Sequence, residues 1–157
     1  METQNIENKL AEMGLSLPVI PPSTAIYKSC LVDGRHLYVS GHVSLNADGT
    51  YITGKLGKEL SEEEGKIAAR QCGLAILTSI KKTLGSLDKV KRVIKILGMV
   101  NCTTDYEKQP IVINGCSELF RDLWGEDNGV GVRSAVGMGS LPGNVAVEVE
   151  ALFELHA

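Results

Sequence analysis

The sequence predicts an α+β fold in which a mixed β-sheet has two helices packed on one face. Two stretches with helical spacing of apolar residues, 61–84 and 110–124, flank a long run rich in valine and isoleucine, 90–102. A hairpin pattern precedes them, and two further strand patterns follow. Since helices alternate with a single long strand, one sheet with both helices on the same side is favoured.

Residues 1–22 are predicted to form a short N-terminal helix and a proline-rich lead-in. Apolar Ile6, Leu10 and Met13 recur at helical spacing within residues 3–13, and Gly14 ends the pattern. Residues 17–22 include Pro21 and Pro22, which remove amide donors and fix φ, so this stretch is predicted to be extended. Residues 1–157 together are expected to be one domain.

Turn and cap residues set the remaining boundaries. Asp33-Gly34 between strand patterns 26–32 and 36–43 predicts a β-hairpin. A turn at 46–49 and a short strand at 51–53 follow. Ser61 and Glu64 form a capping box at the start of the first long helix, and Gly85 ends it. Pro110 suits the start of the second helix, with Gly125 as its end.

The last two strands are predicted at residues 130–138 and 145–155. The second alternates cleanly, so one face of it is expected to be buried. The apolar side of that strand consists of Val145, Val147, Val149, Ala151, Phe153 and Leu155. The turn at Pro142 and Gly143 is expected to fold it back beside the strand that carries Arg133.

Composition disfavours several classes of function. Net charge is −3, and the seven aromatic residues are not interleaved with arginine, so nucleic acid is not an expected partner. No apolar run approaches the ~20 residues that span a bilayer, and the N-terminus lacks a signal-peptide pattern. A cytoplasmic protein without membrane contact is therefore expected. The four cysteines and three histidines lack ligand spacing, so no metal site is expected.

Arg133 and Glu148 are the residues best suited to chemistry. Arg133 lies mid-strand, where a guanidinium is desolvated unless it lines a cleft or meets an anion. Its planar fork matches a carboxylate bidentately, while Glu148 across the strand pair would handle a water molecule. The residues alone leave two interpretations equally open: a hydrolytic cleft that binds a small carboxylate, or a structural Arg–Glu ion pair.

Several motifs together resemble the RidA family, also called YjgF or L-PSP, over nearly the whole chain. They are Arg133-Ser134-Ala135-Val136, the Leu141-Pro142 turn, Val147-Glu148-Val149-Glu150-Ala151 and Tyr38-Val39-Ser40-Gly41-His42. Tyr27 and Asn114 also fall where that family carries a site tyrosine and an asparagine. The N-terminal helix and proline-rich lead-in resemble a longer subgroup.

The resemblance implies a chorismate-mutase-like fold and a homotrimer with clefts between subunits. It implies hydrolysis of reactive enamines and imines, such as 2-aminoacrylate, to 2-keto acids and ammonia. The activity that the resemblance implies is that of a 2-iminobutanoate/2-iminopropanoate deaminase. No cofactor is implied, because the imine carbon is already electrophilic.

The resemblance also implies roles for individual residues. Arg133 would clamp the substrate carboxylate, Glu148 would orient water or shuttle a proton, and Tyr27 would close the pocket. The pocket wall would include Ser40, Gly41, Asn114 and Ala135.

Position 135 departs from the family pattern, since many members carry cysteine two residues after the arginine and here it is Ala135. Alanine is compatible with a role for the backbone carbonyl but not with a role for sulfur. His42 is expected to be a hydrogen-bonded wall residue rather than a general base, and Glu150 to face solvent or an interface.

Two alternative functions compete with the deaminase. An endoribonuclease acting on single-stranded RNA is one, because that activity is attached to some relatives. A non-catalytic trimer that binds 2-keto acids or other small carboxylates is the other.

Overall fold

The computed structural model describes residues 5–157, which form five strands in one sheet and three α-helices. The strands are β1 (Cys30–Asp33), β2 (His36–Val43), β3 (Val90–Asn101), β4 (Val132–Met138) and β5 (Val147–Leu155). The helices are α1 (Ile6–Glu12), α2 (Glu62–Leu84) and α3 (Gln109–Gly129). No helix among these residues is both long and apolar enough to cross a bilayer.

The sheet has the strand order β1-β2-β5-β3-β4. Only β3 and β4 pair in parallel, and the other neighbours are antiparallel. α2 and α3 pack on one face, which confirms the predicted mixed sheet with two helices on one side. The predicted pairing of the last strand was wrong, because β5 lies between β2 and β3 and never contacts β4 as a neighbour.

Helix α2 begins and ends at its predicted signals. Ser61 Oγ accepts the amide hydrogen of Glu64 at 3.2 Å and donates to the Glu64 carboxylate at 3.1 Å. Gly85 adopts φ 85° and donates its N–H to Lys81 O at 2.8 Å. The predicted apolar stripe is buried except at its end: Leu84 is partly buried, while the other members are fully inaccessible, namely Ala68, Cys72, Ala75, Ile76 and Ile80.

Helix α3 has Pro110 in its first turn, as predicted. Gly125 breaks the helix with φ 82° and ψ 174°, but a further helical turn follows to Gly129, which the sequence pattern did not predict. The apolar stripe of α3 is buried in full: Val112, Cys116, Leu119, Phe120 and Leu123. Phe120 packs edge-on against Trp124 and Phe153, at centroid distances of 5.8 and 5.6 Å.

The two long helices approach closely because α3 carries a glycine at their contact. A Cβ on Gly115 would overlap the carbonyl oxygen and carbonyl carbon of Lys66 in α2. This neighbour is backbone and cannot rotate away as a side-chain tip could. The position of α3 over β3 and β4 therefore depends on Gly115.

Gly115→Ala is expected to destabilise the protein by roughly 1–3 kcal/mol, the usual cost of overpacking a tight contact. The gain of about 1 kcal/mol in helix propensity offsets part of a larger steric cost. Urea unfolding followed by circular dichroism measures the change. Gly139→Ala is the matched control, because a Cβ there meets nothing within 4 Å. Equal unfolding midpoints for the two variants would contradict this account.

The N-terminal region departs from prediction in its boundaries. α1 begins at Ile6, capped by the Asn5 side chain, while the predicted start at Thr3 lies outside the described residues. The predicted strand 26–32 begins only at Cys30, and residues 26–29 are irregular. Residues 17–22 are not helical, in line with the prediction, and the lead-in is fixed where Thr78 Oγ1 donates to Pro18 O at 2.9 Å.

Candidate active site

The Glu148 carboxyl group lies on the open face of the sheet, against Gly41. Its neighbours in β5, Val147 and Val149, are fully buried in the core under the helices, so Glu148 between them points the other way. In the sheet register Glu148 lies opposite Val43 of β2, beside a β-bulge that contains Gly41. A Cβ at position 41 would overlap Glu148 Oε2, so the glycine makes room for the carboxylate.

The environment of Glu148 disfavours its charged form. Burial raises the pKa of this carboxyl group, and the negative charge of nearby Glu150 raises that pKa further. Among residues 5–157, no lysine or arginine forms an ion pair with Glu148. A half-buried carboxyl group with a raised pKa is suited to accept and return a proton near neutral pH.

Ser40 fixes the segment that carries Tyr27. Its N–H donates to Ser29 O at 2.9 Å, and its hydroxyl donates to Lys28 O at 2.5 Å. Tyr27, directly before this anchor, is 55% exposed. Its side chain is thus presented at the surface by a segment that two hydrogen bonds tie to Ser40, the residue before Gly41.

A cleft of about 430 Å³ opens beside Gly41 and Tyr27. Tyr27 also borders a wider concavity of about 590 Å³ on the open face of the sheet, which Ser40 and Glu150 line as well. Tyr27 therefore stands on the rim shared by both depressions, and Gly41 with the Glu148 carboxylate lies close to that rim.

His42 is buried and uses both ring nitrogens in hydrogen bonds. Nδ1 lies 2.6 Å from Ser40 O, and Nε2 lies 2.7 Å from Ser79 Oγ. A carbonyl oxygen only accepts, so Nδ1 carries the hydrogen and Nε2 accepts from the Ser79 hydroxyl. Burial lowers the pKa of His42, although the hydrogen bond to Ser40 O opposes this. His42 is a neutral wall residue of the cleft.

Protonation of His42 is expected to destabilise the fold in mild acid. Its pKa is lower in the folded state than the ordinary value of about 6.5, so the unfolded chain binds the proton more tightly. The stabilising contribution is complete above about pH 6.5 and is lost as the pH falls from there through the folded-state pKa. Unfolding free energies measured from pH 8 to pH 5 test this expectation.

His42→Gln should remove that component of the pH dependence, while His156→Gln at an exposed position should retain it. If wild type and His42→Gln lost stability in parallel across this range, the assignment of the effect to His42 would be wrong.

Arg133 lies in a groove of about 340 Å³ between β4 and α3, far from the carboxyl group of Glu148 in the register. Its Nη1 donates to Ser117 Oγ at 3.1 Å, and Nη2 donates to Pro110 O at 3.3 Å. Asn114 lines the same groove. No carboxylate in the described part of the chain forms an ion pair with Arg133, so its charge has no counter-ion there.

Ala135 follows on the same side of β4 as Arg133. It pairs with Gly98 and is half-buried against the core. Because residue 135 is alanine, its side chain supplies a methyl group and no thiol at this position.

One copy of the chain does not bring Arg133 and Glu148 together, contrary to the expectation from the predicted strand pair. Arg133 lies opposite Ile96 of β3, and Glu148 lies opposite Met99. Positions three apart in a strand face opposite sides of the sheet. The two side chains are thus on opposite faces with β3 between their strands, which also excludes the structural ion pair within one chain.

Comparisons with known proteins identify the family. Residues 7–153 match the family model described as "YjgF/chorismate mutase-like, putative endoribonuclease". The chain belongs to the YjgF family. Protein TCP17 of Trypanosoma cruzi is 40% identical over 147 residues, which are 94% of this chain and 92% of that protein.

Solved structures of YjgF-family relatives share the fold. A protein of unknown function from Agrobacterium tumefaciens is 36% identical with a TM-score of 0.88, and the match covers 99% of this chain and 96% of that one. A protein from Shewanella oneidensis described as a "putative endoribonuclease" is 25% identical with a TM-score of 0.90. The match covers 96% of this chain and 99% of that one. The resemblance inferred from the motifs, including the chorismate-mutase-like fold, is confirmed.

Two residues at the site were missed by sequence reasoning. Ser117 accepts a hydrogen bond from Arg133 and lies one helical turn after Asn114, so the i, i+3 spacing was an available signal. Ser79 hydrogen-bonds Nε2 of His42 from 37 positions away. No local pattern marks such a pair.

Proposed function

We propose that this YjgF-family chain is a hydrolytic deaminase of 2-imino acids, including 2-aminoacrylate-type enamines after tautomerisation, giving 2-keto acids and ammonia. One observation carries the proposal: within residues 5–157 the Arg133 guanidinium and the Glu148 carboxyl group, whose pKa is raised, are both accessible and neither forms an ion pair. A small substrate with a carboxylate next to an electrophilic carbon needs these two groups.

The proposed site forms between copies of the chain in a homotrimer. Arg133 and Glu148 lie on opposite faces of one sheet, so a single molecule of substrate reaches both only if they come from neighbouring subunits. The open sheet face supports this assembly, because Leu31 and Tyr38 there are 50% and 47% exposed. Exposed apolar surface of this kind marks a contact between proteins.

Light scattering on the purified protein should therefore give three times the chain mass.

The proposed reaction consumes one water molecule. Arg133 holds the substrate carboxylate, and Glu148 accepts a proton from water as the water oxygen bonds to the imine carbon. The electron pair of the C=N double bond moves to nitrogen, which takes up a proton. The carbinolamine then expels ammonia as its C–O bond becomes a carbonyl group, and Glu148 shuttles the remaining protons. The sum is 2-imino acid plus water to 2-keto acid plus ammonia.

The other site residues have positioning roles in this scheme. Tyr27 closes the rim of the cleft, Gly41 leaves space for the Glu148 carboxylate, and Ser40 holds the Tyr27 segment. Asn114 lines the groove beside Arg133. The scheme needs no thiol and no cofactor, so Ala135 is compatible with turnover.

A coupled assay tests the proposal. A pyridoxal-phosphate dehydratase acting on serine or threonine releases the enamine, and added protein should accelerate the appearance of keto acid above the spontaneous rate. An unchanged rate at protein concentrations equal to the dehydratase would refute the deaminase. Calorimetry with pyruvate and 2-ketobutyrate then distinguishes a non-catalytic carboxylate binder. Nuclease-free protein incubated with single-stranded RNA distinguishes an endoribonuclease, whose cleavage should disappear in Glu148→Ala.

A further inference from the structure

We infer that residues 20–24 of the proline-rich lead-in, together with Tyr51, form a wall that selects substrates with large apolar side chains. This inference rests on the proposed function, since the cleft is then the place where the side chain of a 2-imino acid lies. The wall comes from the N-terminal segment and from the loop before α2, neither of which contributes Arg133 or Glu148.

The first argument is size. The cleft beside Gly41 measures about 430 Å³, which lies in the ~300–1,000 Å³ range of pockets that hold drug-sized ligands. A three- or four-carbon imino acid would leave most of that space to water. A branched or aromatic side chain would occupy more of it and displace water from the apolar residues of the lining.

The second argument is chemical character. No lysine, arginine, aspartate or glutamate lines the cleft within the described chain. His42 also lines the cleft, but burial lowers its pKa and its ring is neutral. Both ring nitrogens already form hydrogen bonds, to Ser40 O and Ser79 Oγ. A charged substrate side chain would lose its hydration and gain no partner, which is costly. The apolar and aromatic lining residues include Ile20, Pro21, Pro22, Leu45, Tyr51 and Val145, and the uncharged polar residues Ser23, Thr24 and Ser29 lie among them.

The third argument is that the wall is held at both ends. Thr78 Oγ1 donates to Pro18 O at 2.9 Å, and Val19 N–H donates to Ala47 O at 3.4 Å. At the other end, the Ser40 hydroxyl bonds Lys28 O. Pro21 and Pro22 fix φ between these anchors, so the segment retains little freedom to collapse into the cleft. A pre-formed wall can discriminate by size because it does not adjust to a small ligand.

Adjacent residues of the lead-in provide a matched pair of variants. Ile20 lines the cleft and is half-buried, whereas Val19 is 69% exposed and is not one of the lining residues. Both are β-branched, so Ile20→Glu and Val19→Glu make the same chemical change at adjacent positions of one segment. Circular dichroism spectra and melting curves of both variants establish that they fold.

The experiment compares imines made in situ from leucine, phenylalanine and alanine by an L-amino-acid oxidase, with the remaining imine trapped as its semicarbazone. Wild type should show kcat/KM at least about tenfold higher for the leucine and phenylalanine imines than for the alanine imine, as extra methylenes in an apolar pocket predict. Ile20→Glu should reduce that ratio at least fivefold, and Val19→Glu should leave it unchanged.

Binding of the product keto acids separates failure of the wall from failure of the deaminase. If wild type is active but has similar kcat/KM values for the large imines and the alanine imine, the proposed role of the wall is wrong and the deaminase proposal is unaffected. The same conclusion follows if both variants change this ratio equally. If no imine is hydrolysed, tighter binding of 4-methyl-2-oxopentanoate than of pyruvate, weakened by Ile20→Glu alone, would support the wall without turnover. Absence of both activity and selective binding would overturn both proposals.

Discussion

Arg133→Ala is expected to lower kcat/KM for 2-imino acids by roughly 30- to 3,000-fold, corresponding to about 2–5 kcal/mol for removing one partner of a hydrogen-bonded charge pair. The guanidinium donates to Ser117 Oγ and Pro110 O, and these contacts aim its fork without neutralising its charge. The substrate carboxylate would be its counter-ion. Loss of the guanidinium leaves that carboxylate without a partner in the groove.

Arg133→Lys should recover part of the loss, because lysine keeps the charge but has no planar fork. Arg35→Ala serves as the control. Arg35 is an exposed arginine paired with Glu154 at the far end of β5, outside the proposed site. Steady-state kinetics of all three variants in the coupled assay measure the effects. Wild-type kcat/KM in Arg133→Ala would remove Arg133 from the substrate-binding role.

The helices and strands of this fold could be predicted from cap residues, turn residues and apolar periodicity, which are local patterns in the sequence. The Ser61 cap, the Gly85 end and the stripe of α2 reflect interactions within four residues along one helix. The alternation of β5 likewise revealed which of its side chains are buried. Strand alternation does not reveal which strands lie on either side, because any neighbour with the same twist can pair with it.

The misplaced β5 had a direct consequence for the site. With β5 assumed beside β4, Arg133 and Glu148 were expected to meet within one chain. The actual order inserts β3 between them and puts the two side chains on opposite faces. The chemistry of the residue types thus identified Arg133 and Glu148 as candidates. Only the strand order and register determine whether their side chains lie on the same face of the sheet. The proposed site therefore needs two copies of the chain.

Long-range hydrogen bonds were equally beyond sequence reasoning. Ser79 hydrogen-bonds the Nε2 atom of His42 from 37 positions away, and Thr78 anchors the lead-in 60 positions away. Both are ordinary helix residues in α2 by any local measure. Their roles come from what folds against the helix, which depends on the whole sheet.

Glu148→Gln is expected to reduce kcat about 10²- to 10⁴-fold, the usual contribution of a positioned general acid–base group. Glutamine keeps the size of the side chain beside Gly41 but cannot take a proton from water. Since Arg133 and the apolar wall are unchanged, KM should stay within a few-fold of wild type. A raised KM with an unchanged kcat would instead indicate that Glu148 binds the substrate.

The pH dependence gives a second, independent test of Glu148. The reactive form is the carboxylate, so the rate should rise with pH through the pKa of Glu148, which burial and Glu150 hold above its ordinary value. Glu150→Gln removes the neighbouring negative charge, lowers that pKa and should move the rising limb to lower pH. In Glu148→Gln the limb should be absent. A limb that stayed in place in Glu150→Gln and persisted in Glu148→Gln would belong to another group, and Glu148 would then be only the residue that fills the space over Gly41.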